Sequence, residues 1–135
     1  MTGFKERYYS GMTDQDGRVW KCLRPVEYTA RDGTVYTIPV GASTDGASVP
    51  AIFWSKLPPF GPYWLAAVLH DAAYGGFLRL ADGSKAFPNA TDRPLCDLLI
   101  KEAMEETGVD AVTVTVIYDA LVAFGGPSFK EDRGI

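Results

Sequence analysis

The sequence predicts an α+β fold, in which a small N-terminal antiparallel β-sheet is followed by a helical layer of three to four helices. Two observations favour this fold class. Residues 17–40 carry short runs of β-branched and aromatic residues around a tight turn, as β-hairpins do. After Val40 the chain becomes rich in Gly, Ser and Pro, and longer apolar segments with helix-capping residues follow.

Three short strands are predicted before Val40. They lie in the segments GRVWKCLR, VEYTA and TVYTIPV. The last two are separated by Arg31-Asp32-Gly33, and an Asp-Gly pair readily adopts the positive φ that a tight hairpin turn requires. The three strands are expected to form one small antiparallel sheet.

Two helical segments are predicted in the middle of the chain. A short helical turn over residues 49–55 has Ser48 as its N-cap. A longer helix over residues 62–74 is apolar on nearly every face, as a buried helix is, and Gly75-Gly76 is suited to end it. A loop over residues 77–91 follows.

Two further helices are predicted in the C-terminal part. One is capped by Thr91 or Asp92 and runs to Gly108. The segment 110–124 is assigned to a helix because of its length and because Asp110 can cap it. Its many β-branched residues leave a strand as the alternative. With 135 residues, the chain is predicted to form a single domain, residues 1–135.

Composition argues against several classes of protein. The formal net charge is −4 and the 13 Lys and Arg residues are scattered, whereas nucleic-acid binding usually requires a basic stripe. Cys22 and Cys96 lie far apart and do not provide the closely spaced ligands of a structural zinc site. No signal peptide is recognised in MTGFKERYYSG, and no apolar run is long enough to span a membrane.

The stretch VLHDAAYGG contains the only histidine of the chain, His70, next to Asp71. On a helix His70 and Tyr74 share a face, whereas Asp71 points about 100° away from His70. A buried carboxylate needs a cation, backbone N–H groups or a metal as its partner. A purely structural polar network explains these residues about as well as a catalytic site does.

Asp97 is the candidate partner for His70. If it faces the helix over residues 62–74, it would orient His70 and stabilise the imidazolium, as in general base catalysis. The alternative is a surface carboxylate paired with Arg93 or Lys101, which lie four residues before and after it.

The segment GASTDGASVP is the third part of the candidate site. Asp45 and nearby backbone carbonyls are predicted to join Asp71 around Ca²⁺, which prefers six to eight oxygen ligands; Gly46 and Ser48 belong to the same loop. The alternative is a plain turn at Asp45-Gly46 with Ser48 as an N-cap. A catalytic role for Ser48 is disfavoured because the segment lacks the pattern of a nucleophile elbow.

Three blocks, TDGASVP, PPFGPYWLAAVLHDAAY and CDLLIKEAM, together resemble the phage and prophage family catalogued as domain of unknown function 1353. The resemblance covers about residues 20–125. It implies a phage or prophage origin and hence a location in the host cytoplasm or the virion. The partners it suggests are phage structural proteins or a component of the host envelope.

His70-Asp71-x-x-Tyr74, followed by Asp97 on a later helix, is similar to the active-site pattern of secreted phospholipases A2. That resemblance implies His70 as general base for a water, Asp71 as a calcium ligand, and Asp97 with Tyr74 as the support of His70. The cysteines that flank the motif in the phospholipases are missing here, and TDGASVP differs from their calcium loop.

Three functional hypotheses follow. The favoured one is a hydrolase, in which His70 activates water against an ester or related carbonyl and lies in an open pocket within reach of Asp97. The second is a non-catalytic virion component of the tail or neck, with a sealed His70. The third is a small phage inhibitor of a host protein, which would require an exposed aromatic patch. The candidates are Phe53, Trp54, Pro59 and Phe60, although the alternative, that they pack into the core, is favoured because aromatic residues at such spacing usually pack inward.

Overall fold

Seven short strands and four helices make up the part of the chain that the computed structural model describes, residues 2–5, 11–13, 20–44 and 62–134. The strands are β1 (Gly3–Phe4), β2 (Gly11–Thr13), β3 (Trp20–Cys22), β4 (Val26–Thr29), β5 (Val35–Ile38), β6 (Ser43–Thr44) and β7 (Arg79–Leu80). The helices are α1 (Pro62–Gly75), α2 (Arg93–Glu106), α3 (Ala111–Phe124) and α4 (Gly126–Arg133). The predicted α+β class is confirmed.

The predicted hairpin forms the centre of a four-stranded antiparallel sheet with the order β1-β4-β5-β7. Strands β4 and β5 pair with Val26 opposite Ile38. At the turn between them Gly33 has a φ of +89°, and the Asp32 carboxylate accepts a hydrogen bond from the Thr34 N–H at 2.9 Å. The Asp-Gly pair therefore acts as the sequence predicts.

The first predicted strand does not join this sheet, so the expectation of one three-stranded sheet is wrong. Strand β3 lies between β2 and β6 in a second, three-stranded sheet. The Cys22 backbone of β3 exchanges hydrogen bonds with Gly41 and Ala42. Pro25, directly before β4, lacks the backbone N–H that strand pairing needs. Strand β7, inside the predicted loop 77–91, instead completes the first sheet by pairing with β5.

Helix α1 is the buried helix of the fold. It covers Pro62–Gly75, and every residue from 65 to 74 is buried, as its uniformly apolar sequence predicts. Gly76, with a φ of +76°, ends it in the left-handed conformation that favours glycine. Helices α2 and α4 and strand β6 pack against α1.

Helices α2 and α3 occupy the two predicted C-terminal segments, and the strand alternative for residues 110–124 is wrong. Asp110 caps α3 by accepting from the Thr113 N–H at 2.9 Å. Asp92 stands at the N-cap position of α2 but makes no side-chain cap. Its carboxylate accepts instead from the Asn89 N–H at 2.9 Å, because the preceding loop folds back onto it.

Helix α2 joins the first sheet to the other helices. The Tyr28 hydroxyl of β4 donates to Glu102 at 2.7 Å, and Arg31 pairs with Glu106 at 2.7 Å. On its other sides α2 packs against α1 and α3. Within the described ranges, no helix is long and apolar enough to cross a membrane.

Three predictions lie outside the described residues. They are the helical turn over residues 49–55, the loop residues Asp45, Gly46 and Ser48, and the aromatic patch of Phe53, Trp54, Pro59 and Phe60.

Candidate active site

His70 and Tyr74 lie one turn apart on the buried helix α1. The spacing of four residues places both side chains on one face, and their ring centroids are 3.9 Å apart. His70 is 1% exposed and Tyr74 is fully buried. The open pocket expected around His70 is therefore not what the structure shows.

Asp97 approaches this pair from α2. Its Oδ1 lies 3.3 Å from His70 Nε2 and accepts a hydrogen bond from the Tyr74 hydroxyl at 2.5 Å. At 2% exposure, Asp97 is a core residue, so the alternative of a surface carboxylate is wrong. The structure thus brings together the three side chains that the sequence singles out from two separate helices.

The two alternative partners of Asp97 have other contacts, and those of Arg93 include the Tyr74 side chain. Arg93 donates to the backbone carbonyls of Leu121 and Val122 at the end of α3. The Lys101 ammonium lies 5.1 Å from the centre of the Tyr118 ring, at a distance typical of a cation–π contact. Asp97 is left to face His70 and Tyr74.

Electrostatics keep the imidazole neutral and the phenol protonated. Burial lowers the pKa of His70 below its ordinary value of 6.5, and the hydrogen bond to Asp97 offsets this only in part. Burial, followed by the hydrogen bond to Asp97, raises the pKa of Tyr74 well above its ordinary value. Tyr74 therefore donates its proton to Asp97 across the whole physiological range.

The carboxylate determines which nitrogen of His70 carries the proton. Asp97 Oδ1 accepts, so Nε2 is the donor and the neutral ring keeps its lone pair on Nδ1. Nδ1 is enclosed, and it has no hydrogen-bond partner among the described residues. An acceptor buried in this way costs about 1–3 kcal/mol unless a water or a ligand satisfies it.

Asp71 is buried at 8% exposure and has an interaction partner, as the cost of burying a carboxylate requires. Its proposed companion in a calcium site, Asp45, lies outside the described residues, together with Gly46 and Ser48. Across the described ranges, no three His, Cys, Asp or Glu side chains are grouped so as to hold a metal ion. Of the two predicted calcium ligands, Asp71 alone lies among the described residues.

Sequence reasoning missed the residues that surround Tyr74. The Phe129 ring packs edge-on against the Tyr74 ring, and Arg133 donates to the Tyr74 carbonyl oxygen. The signal that was available is the Gly125-Gly126-Pro127 sequence, which is typical of a break between two helices. It indicates that a further helix can fold back onto the core.

Comparison with known proteins places this site within a family. A model of the family described as Protein of unknown function (DUF1353) matches residues 20–121. No curated protein and no solved structure matches the chain. The matched range contains His70, Asp71, Tyr74 and Asp97, so the whole described site belongs to the family's part of the chain.

Proposed function

The chain belongs to the DUF1353 family, and since that description names no activity, we propose a function from the geometry around His70. The protein is a hydrolase, in which His70 is the general base for a water that attacks an ester or related carbonyl carbon. The observation that carries this proposal is the enclosed Nδ1 atom, which has no partner among the described residues.

Nδ1 has the properties of a general base. Its lone pair is available because Nε2 faces Asp97, and the ring is neutral at pH 7 because burial lowers its pKa. A base must be unprotonated to accept a proton and must lie within hydrogen-bond reach of the attacking water. A water on Nδ1 would also satisfy the buried acceptor.

Asp97 orients His70, and Tyr74 holds Asp97 in position. As the water oxygen bonds to the carbonyl carbon, its proton passes to Nδ1, and the imidazolium is stabilised by Asp97 at 3.3 Å. The tetrahedral intermediate then expels the alcohol, which takes the proton from Nδ1 as the C–O bond breaks. The Tyr74 hydroxyl holds Asp97 in position throughout.

The similarity to the secreted phospholipases A2 supports this assignment, since it gives the same roles to His70, Tyr74 and Asp97. It also implies calcium, for which Asp71 and Asp45 are the proposed ligands. A bound Ca²⁺ would polarise the carbonyl oxygen of the substrate. The proton transfers proposed for the hydrolysis involve only the side chains of His70, Asp97 and Tyr74.

A second candidate function is favoured by the burial of His70. A ring that is 1% exposed suits a non-catalytic polar network that fixes α1 against α2. In this alternative the protein is a component of a phage particle, in the tail or neck, and its partners are other phage structural proteins. The two candidate functions predict different effects on activity when the hydrogen bonds among His70, Tyr74 and Asp97 are altered in a folded protein.

Tyr74→Phe and Tyr28→Phe form a matched pair that separates the two candidates. Both hydroxyls belong to fully buried tyrosines and both donate to a carboxylate, Asp97 and Glu102 respectively. Each substitution is expected to cost about 1–2 kcal/mol of stability, because it removes a hydrogen bond from an acceptor that is buried (Asp97) or partly buried (Glu102).

Only Tyr74→Phe is expected to lower kcat/KM, by about tenfold, because Asp97, which orients His70, loses its hydrogen bond from Tyr74. The measurement is hydrolysis of chromogenic esters of short-chain and long-chain acids and of phospholipid vesicles, alongside urea unfolding. Equal losses of activity in the two variants would contradict the catalytic assignment and favour the structural one.

A further inference from the structure

We infer that Arg133 is a positioning residue of the His70 site and that helix α4 holds Tyr74 where it can orient Asp97. The catalytic consequence rests on the proposed function, whereas the effect on His70 itself does not. The inference stands on three separate contacts between the segment 125–133 and Tyr74: at its carbonyl, its ring and its hydroxyl.

The first contact is a guanidinium fork on the end of α1. Arg133 donates from Nε to the Tyr74 carbonyl at 2.9 Å and from Nη2 to the Ala73 carbonyl at 2.9 Å. The last carbonyls of a helix lack intrahelical donors, and a cation there is favoured by the helix dipole. Arg133 thus fixes the turn of α1 that carries Tyr74.

The same guanidinium reaches toward the helix that carries Asp97. Its Nη1 donates to the Asn89 carbonyl at 3.3 Å, and the Asn89 N–H is held in turn by the Asp92 carboxylate at the start of α2. One side chain therefore ties α1, which bears His70 and Tyr74, to the segment that leads into α2 and Asp97.

The second contact is with the ring of Tyr74. Phe129 is buried and packs edge-on, with centroids 5.2 Å apart and planes at 86°, an arrangement that aromatic pairs favour. The Arg133 guanidinium carbon lies 4.3 Å from the centre of the Phe129 ring. Arg133 and Phe129 therefore support each other as well as Tyr74.

The third contact is with the hydroxyl. Gly125 joins α3 to α4, and a Cβ atom there would lie 2.5 Å from the Tyr74 hydroxyl oxygen and 2.6 Å from the Leu121 carbonyl oxygen. The backbone of this junction therefore lies close to the Tyr74 hydroxyl. Only a residue without a side chain fits between them.

These contacts bear on His70 because Tyr74 and His70 share one acceptor. Both donate to Asp97 Oδ1, so a displaced Tyr74 hydroxyl changes the position of the carboxylate and its bond to Nε2. The imidazole then loses the interaction that keeps its proton on Nε2. Residues 125–133 lie outside the range 20–121 that the family model matches, so this chain supports the site with residues beyond that range.

The test uses the single histidine of the chain, whose imidazole ¹⁵N signals need no assignment among several rings. In the wild-type protein, Nε2 is expected to be protonated and Nδ1 unprotonated at neutral pH. In Arg133→Gln a second tautomer should become populated. Arg133→Lys, which keeps the charge but loses the fork, should give a smaller change. Lys130→Gln removes a charge from an exposed site on the same helix and should leave the spectrum unchanged.

Two results would overturn the inference. One is a folded Arg133→Gln protein whose ¹⁵N spectrum equals that of Lys130→Gln. The other is an Arg133→Gln protein that fails to fold while Arg133→Lys gives the wild-type spectrum, since Arg133 would then serve only the fold. A tautomer change in either variant supports the inference whether or not the protein hydrolyses esters. An absence of hydrolysis in wild-type protein would count against the proposed function alone.

Discussion

His70→Gln is expected to lower kcat/KM for ester hydrolysis about 10³-fold or more while the protein remains folded. The glutamine amide nitrogen can take the place of Nε2 and keep a donor on Asp97, but nothing then stands at Nδ1 to accept a proton. General base catalysis contributes about 10²–10⁴-fold to rates, and the loss should be of that order. Hydrolysis of chromogenic esters, alongside the thermal unfolding midpoint, measures both effects.

His70→Gln distinguishes the hydrolase from the non-catalytic component, because it keeps a hydrogen-bond donor to Asp97 and removes the acceptor at Nδ1. If the His70–Asp97 bond serves only the fold, His70→Gln should behave like the wild-type protein in every assay. Tyr28→Phe, which removes a partly buried hydrogen bond to Glu102, is the control for general effects on packing. Wild-type rates in His70→Gln would contradict the role of His70 as base.

Asp97→Ala is expected to cause the largest loss of stability, about 3 kcal/mol. The substitution leaves two buried donors, His70 Nε2–H and the Tyr74 hydroxyl, without their acceptor, and each unpaired donor costs about 1–3 kcal/mol. Urea unfolding at pH 7 measures the change. Hydrolysis at a temperature where the variant stays folded should also fall, because His70 loses its orienter.

Asp110→Ala is the matched control for Asp97→Ala. Asp110 is exposed and caps α3 through the Thr113 N–H, so its loss is expected to cost about 1 kcal/mol. Similar losses in the two variants would show that the buried network contributes no more to stability than a single helix cap does.

Elements fixed by local chemistry could be predicted from the sequence. The Asp32-Gly33 pair favours the tight turn between β4 and β5. The apolar sequence of α1 predicts that this helix is buried, whichever elements pack against it. The spacing of four residues between His70 and Tyr74 places both side chains on one face. An inward position of Asp97 follows from the sequence only as a chemical hypothesis, because its spacing from Arg93 and Lys101 is equally compatible with a surface position.

Features that depend on distant partners could not be predicted in this way. Strand β3 pairs with β6 across the hairpin, a choice that no residue of β3 specifies. Strand β7 pairs with β5 although about forty residues separate them in the chain. Arg133 binds the Tyr74 carbonyl from 59 residues away, and only the packing of α4 on α1 makes that contact possible. The burial of His70 likewise results from the packing around α1.

Chemical modification of His70 in the native protein tests the central claim most directly, because a general base must become accessible to a ligand although Nδ1 is enclosed in this structure. Diethyl pyrocarbonate acylates neutral imidazole, and peptide mass mapping identifies the adduct on the only histidine of the chain. We expect the folded protein to gain an adduct on His70, with hydrolysis lost in parallel and the circular dichroism unchanged. A His70 that stays unmodified until urea unfolds the chain would contradict the claim.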